Sequence, residues 1–114
     1  MSESTENKRK AGRKHLNTYY PTVFNKGGQE FRTLLIDLTP SGGQLQFDSR
    51  NHKLCLNRGE SLHFEIRTDY GVISTQATIS WVRQKSAYFN FGIQFVDLNG
   101  KGKEIIQKII APLE

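Results

Sequence analysis

A single cysteine, Cys55, cannot close an internal disulfide, which removes the stapled secreted scaffolds from consideration and agrees with a reducing compartment. Cys55 is expected to pack as a small apolar side chain. No apolar run approaches the roughly 20 residues that a membrane helix needs, and the first residues lack the apolar stretch of a secretory leader. The sequence therefore predicts a cytoplasmic protein that does not insert into a membrane. Histidines are few, and His15, His52 and His63 stand far apart beside unrelated residues, so a metal site is not expected. Around Ser41, Ser61, Cys55 and the histidines no short nucleophile and base motif appears, which favours a binding module over an enzyme. A phosphate-binding loop is missing too, because the nearest Gly-containing turn, Asn99 to Gly102, has no Lys-Ser or Lys-Thr pair.

What remains is a chain of 114 residues, enough for one domain with a real core, carrying a formal net charge of +5. That balance favours an anionic partner and leaves nucleic acid, a nucleotide and an acidic protein open. Period-two apolar patterns run through most of the sequence. Leu62, Phe64 and Ile66 make one strand; Ile73, Thr75, Ala77, Ile79 and Trp81 make a second; Phe89, Phe91, Ile93 and Phe95 make a third. Leu45 and Phe47 form a shorter strand, Leu34, Leu35 and Ile36 a denser run suited to burial on both faces, and Tyr19 to Phe24 a weaker first strand. Turn residues separate them at Lys26 to Gly28, Asn57 to Gly59 and Asp69 to Gly71. Short strands at this spacing predict an all-β fold, a small antiparallel barrel or sandwich of about six strands. After Asp97 and Asn99, either able to cap a helix, Ile105, Ile106, Ile109 and Ile110 recur at helical spacing up to Pro112. This C-terminal α-helix is expected to close one end of the barrel.

Two polar stretches are left over. KRKAGRKH, Lys8 to His15, packs Lys8, Arg9, Lys10, Arg13 and Lys14 into seven positions. Taken alone it reads as a solvated basic tail. DLTPSGG, Asp37 to Gly43, follows the dense apolar run; Asp37 is expected to end that strand, and the rest reads as a turn whose polar side chains bond their own backbone. Together, in this order and on an all-β background, they resemble the two-part signature of the PilZ family, bacterial domains that bind cyclic di-GMP. Arg9 and Arg13 match the paired arginines of the first part. Asp37, Thr39 and Gly42 match the second, with Thr where Ser is usual. ISWV, Ile79 to Val82, and GIQFVDL, Gly92 to Leu98, look like the last two strands of the family, so the resemblance covers nearly the whole chain.

The resemblance implies a second-messenger receptor, with residues 1–15 a flexible basic segment bearing the arginines and residues 16–114 the barrel and helix. A guanidinium is a planar fork that can bond guanine O6 and N7 together or two phosphate oxygens together. On the family pattern Arg9 and Arg13 take those groups, Lys8 and Lys10 add attraction to phosphate, Asp37 accepts from guanine N–H donors, Thr39 bonds a guanine or phosphate, and Gly42 admits the nucleotide to the backbone. Ser41 offers a further hydroxyl. Trp81 stacks on a base if it reaches the barrel rim, although its alternation with Ala77 and Ile79 predicts a core position. A second register, aligning RKHLNTYYPTVFN with a family segment, starts the motif at Arg13 and puts Asn17 or Thr18 in the second arginine's place; it predicts weak binding or none. The Arg9 and Arg13 register is preferred because it keeps both arginines. Binding is expected to fold the basic segment over the barrel mouth and to present a changed surface to a protein effector. Two alternatives stand beside this: a degenerate PilZ domain acting only through protein contacts, and a basic nucleic-acid-binding barrel of the OB or cold-shock kind. The second is disfavoured because Phe64, Phe89, Phe91 and Phe95 fall on core-facing positions rather than on an exposed stacking face.

Overall fold

The computed structural model describes residues 14–48, 54–84 and 87–113. Among the described residues six strands, β1 (Lys14–Lys26), β2 (Gln29–Thr39), β3 (Gly42–Asp48), β4 (Ser61–Thr68), β5 (Gly71–Gln84) and β6 (Tyr88–Val96), precede one helix, α1 (Gly100–Ile110), and a short 3-10 turn over Ala111–Leu113. The strands pair antiparallel in the order β1-β2-β3-β6-β5-β4, and β1 pairs with β4 over Thr22 to Phe24, so the sheet closes into a barrel. The expected all-β barrel with a C-terminal helix is the observed fold.

Local chemistry explains the connections. Gly27 and Gly28, at φ +62 and +79, form the two-residue turn between paired Lys26 and Gln29, a geometry that needs positive φ at both central positions. At the opposite end two turns share one device. The Thr68 hydroxyl accepts from the Tyr70 N–H (3.0 Å), and the Thr39 hydroxyl accepts from the N–H groups of Ser41 (3.2 Å) and Gly42 (3.0 Å).

Six phenylalanines, Phe24, Phe31, Phe47, Phe64, Phe89 and Phe91, fill the interior. Phe24 is at its centre, with ring centroids 5.5, 5.2 and 5.9 Å from Phe31, Phe64 and Phe91. Of the four phenylalanines expected in the core, Phe64, Phe89 and Phe91 are buried and Phe95 is partly buried against them. Asn99 caps α1, its Oδ1 accepting from the Gly102 N–H at 2.7 Å. Ile105, Ile106, Ile109 and Ile110 are buried against the barrel end, where Ile105 reaches over Gly71 at the start of β5.

Four expectations need correction. β2 continues past Asp37 to Thr39, because Asp37 and Leu38 stay paired with Gln44 and Gly43 of β3. Leu34 is 40% exposed, so the Leu34 to Ile36 run is not buried on both faces. Cys55 is exposed, and the neighbouring Leu56 packs in its stead. Trp81 lies outside the core, for a reason found in the strand register.

Candidate functional site

Strand β5 keeps strict alternation as far as Ile79, which faces inward and pairs with Ile93. Trp81 then pairs with Gly92, so Ser80 is an extra residue and the strand bulges. Gly92 sits between inward-facing Phe91 and Ile93 and therefore points outward. Trp81, opposite Gly92, shares that outer face. An uninterrupted strand would have carried it inside with Ala77 and Ile79. The missing side chain at Gly92 is what gives the indole its place: a Cβ there would stand 2.1 Å from Trp81 Nε1.

A second bulge repeats the operation on β2. Leu35 pairs with Leu45 and Asp37 with Gln44, leaving Ile36 extra. Leu35 and Leu38, three residues apart, are both fully buried. Asp37 moves to the outer face, where it is still only 8% exposed. The two slips bring distant residues into line. Asp37 pairs with Gln44, Gln44 with Gly92, and Gly92 with Trp81, making one row across four adjacent strands. At strand spacings of about 4.8 Å the row is roughly 14 Å long. A neighbouring outer row holds Thr39, Gly42, Gln94 and Thr78.

Between these rows lies a cleft of about 210 Å³ lined by Asp37, Thr39, Ser41, Gly42, Gly43, Ser80, Trp81, Ile93 and Gln94. Every described residue singled out in the sequence, namely Asp37, Thr39, Ser41, Gly42 and Trp81, is on its wall. The Thr39 hydroxyl is occupied in shaping the turn, while Ser41 is exposed. Gly42 is required by the fold itself, since a Cβ would meet the Ile93 carbonyl oxygen at 2.1 Å. The turn is pinned further by the Phe95 N–H donating to the Ser41 carbonyl at 2.8 Å. Beside the cleft, Arg83 Cζ lies 5.7 Å from the Trp81 ring centroid.

Lys8, Arg9, Lys10 and Arg13 lie outside the described residues. The backbone that follows them is placed: Lys14 pairs with Leu38 and His15 with Asp37, so the chain joins the barrel at the Asp37 end of the row. Sequence reasoning missed Ser80, Gln94 and the supporting Gly92. Gly92 carried a readable signal, a glycine inside an alternating strand, which marks a close approach. A larger cleft of about 490 Å³, lined by Arg32, Thr33, Leu34, Gln46, Asp48, Ala87 and Tyr88, holds none of the motif residues. Among the described residues no group of three His, Cys, Asp or Glu could hold a metal ion, and no helix is long and apolar enough to cross a membrane.

The molecule is thus a closed antiparallel barrel with a helix at one end and a polar cleft on its wall beside the chain's point of arrival. The chain belongs to the PilZ domain family, whose model matches residues 7–111. Solved structures agree on the fold. The PilZ domain with c-di-GMP of YcgR from Escherichia coli superposes with a TM-score of 0.75 at 16% identity, covering 89% of this chain and 87% of that one. YcgR in complex with c-di-GMP from the same organism gives 0.73 at 17%, over 89% of this chain and 43% of that one. The Bacillus subtilis inhibitor of motility, MotI/DgrA, gives 0.73 at 17%, over 88% and 49%. The chain therefore spans less than half the length of the latter two proteins. A search of curated proteins found no match.

Proposed function

We propose that this chain is a cyclic di-GMP receptor whose site is the Asp37 to Trp81 row, completed by the basic segment that precedes Lys14. The observation that carries the reading is the convergence of Asp37, Thr39, Ser41, Gly42 and Trp81 on one cleft at the place where the arginine-bearing segment joins the barrel. The family membership and the c-di-GMP bound in the E. coli YcgR structures support it. Ligand pockets commonly hold about 300–1,000 Å³; the cleft, at about 210 Å³, is smaller, so the reading requires the basic segment to complete the site.

Reach permits that completion. Arg13 is one residue and Arg9 five residues before Lys14, and five extended residues span up to about 17 Å, more than the length of the row. Arg9 and Arg13 would bond guanine O6 and N7 or phosphate oxygens, with Lys8 and Lys10 adding charge. Asp37 accepts from guanine N–H donors. The Thr39 hydroxyl is engaged in its own turn and the exposed Ser41 hydroxyl lies 3.3 Å from it, so Ser41 exchanges that one contact to bond the ligand. Trp81 offers a stacking face, the role its outward position favours over the core role. The segment, drawn across the cleft, then presents an altered surface to a protein effector in the cytoplasm.

Calorimetric titration with cyclic di-GMP, with GTP as the control, tests the reading. Saturable binding is expected, weakened at least tenfold by Arg9→Ala and by Arg13→Ala, each of which removes a charge-assisted bidentate contact. Absence of heat and of competition at high nucleotide concentration overturns it.

A further inference from the structure

Arg83 stands in neither motif. It is exposed, two residues beyond Trp81, and its pairing with Asn90 continues the register that pairs Trp81 with Gly92, so both side chains leave the same outer face. Its guanidinium lies over the indole, Cζ 5.7 Å from the ring centroid, and among the described residues no carboxylate pairs with it. The indole itself rests with Gly92 beneath it, which makes it a flat platform on the barrel wall. A third observation bears on the same spot. Asn90, directly across from Arg83, has its Oδ1 buried with no hydrogen-bond partner among the described residues. Buried acceptors are almost always satisfied, so an orphaned one asks for a donor.

We propose that Arg83 is a guanine-reading arginine: it gives up the Trp81 face to a guanine that stacks there, and then bonds that guanine's O6 and N7. This rests on the cyclic di-GMP reading above. Five N–H donors on one planar group allow it to bond the base edge and the Asn90 Oδ1 together, so Asn90 serves to hold the guanidinium in place. The chemistry also predicts which nucleotide is preferred. Adenine presents an amino donor where guanine presents the O6 acceptor, so a donor-only fork favours guanine. An arginine acting only as a diffuse positive charge would help both bases equally.

The test uses Trp81 as its own reporter, since the chain has one tryptophan. Cyclic di-GMP and cyclic di-AMP are titrated into the wild-type chain and the Arg83→Ala and Arg83→Lys variants, followed by Trp81 emission and by calorimetry. Wild-type binding of cyclic di-GMP should change Trp81 emission. Arg83→Ala should weaken cyclic di-GMP about tenfold to a hundredfold, the discrimination of one bidentate base contact, and leave cyclic di-AMP within about threefold. Arg83→Lys keeps the charge without the fork and should behave like Arg83→Ala. Equal weakening of both nucleotides, or rescue by lysine, overturns the base-reading role. If cyclic di-AMP binds too weakly to titrate, the lysine variant decides alone: cyclic di-GMP affinity within twofold of wild type overturns the proposal. A wild-type chain that binds neither nucleotide overturns the receptor reading and this inference with it, whereas wild-type binding that is unchanged in Arg83→Ala sinks this inference alone.

Discussion

Gly92 and Trp81 form the pair on which the cleft turns. The glycine leaves the space and the indole occupies it, so an added methyl 2.1 Å from Nε1 must push the indole away. Gly92→Ala is therefore expected to fold, to lose about 1–3 kcal/mol of stability as other overpacked sites do, and to shift Trp81 emission. Thermal melts and a fluorescence spectrum check this; an unchanged spectrum would mean that the indole does not rest on Gly92. Gly42 answers a different constraint, because its obstacle is the Ile93 carbonyl, a backbone group that cannot swing aside. The second glycine of the DLTPSGG stretch, Gly43, would likewise place a Cβ 2.8 Å from the Asp37 carbonyl and from Leu35. Residue types here were legible in the sequence. Their reasons were not: Gly42 was read as room for a nucleotide, and the barrel's own backbone already requires it.

At the scale of elements, alternation located β3 to β6, because a strand packed on one face must place an apolar side chain at every second position, whereas β2 was legible only as a dense apolar run and β1 only as a weaker strand. The helix was equally legible from four isoleucines at helical spacing, while the choice of Asn99 over Asp97 as its cap came from the structure. Alternation fails at a bulge, where one extra residue inverts the phase of everything after it. Both bulges beside the cleft do this, and for that reason Trp81 was placed with Ala77 and Ile79 when it belongs outside. Asp37 shows the same inversion from the other side: a carboxylate following Leu35 in strict alternation would be buried in the core, and the bulge at Ile36 is what removes it. The receptor reading asks most of the segment before β1. If nucleotide draws it across the cleft, amide exchange at Lys8 to Lys14 should slow on adding cyclic di-GMP, as expected when a segment gains order on binding. Equal exchange with and without nucleotide would sink the ordering step while leaving binding itself to calorimetry.

For the whole molecule, closure of the barrel joins segments that are distant in sequence, and one ion pair reports on it. Lys26, at the β1–β2 turn, pairs with Glu60, just before β4. Burial alone would raise the Glu60 carboxyl, but hydrogen bonds from Lys26 Nζ and the Asn57 N–H, with the attraction of the Lys26 charge, hold it below its ordinary value of 4.5. A carboxyl lowered on folding contributes stability above its unfolded pKa, and that contribution disappears as pH falls through the folded value. Wild type should therefore lose stability as pH drops below about 4.5, and Lys26→Met should lose less over the same range because part of the contribution is already gone. Urea unfolding from pH 6 to pH 3 measures both slopes, and equal slopes would show that the pair does not link the turn to β4. Composition, alternation and helical spacing by themselves determined an all-β fold, barrel or sandwich, with a C-terminal helix, because burial of one face writes its period directly into the sequence, and the family resemblance chose the barrel. The motif residues were also visible, since their types and order carry the chemistry. Only the tertiary structure decided that Asp37 and Trp81 share a face with Gln44 and Gly92 between them, because strand phase after a bulge is set by which partner the backbone pairs with, and that pairing involves residues far away along the chain.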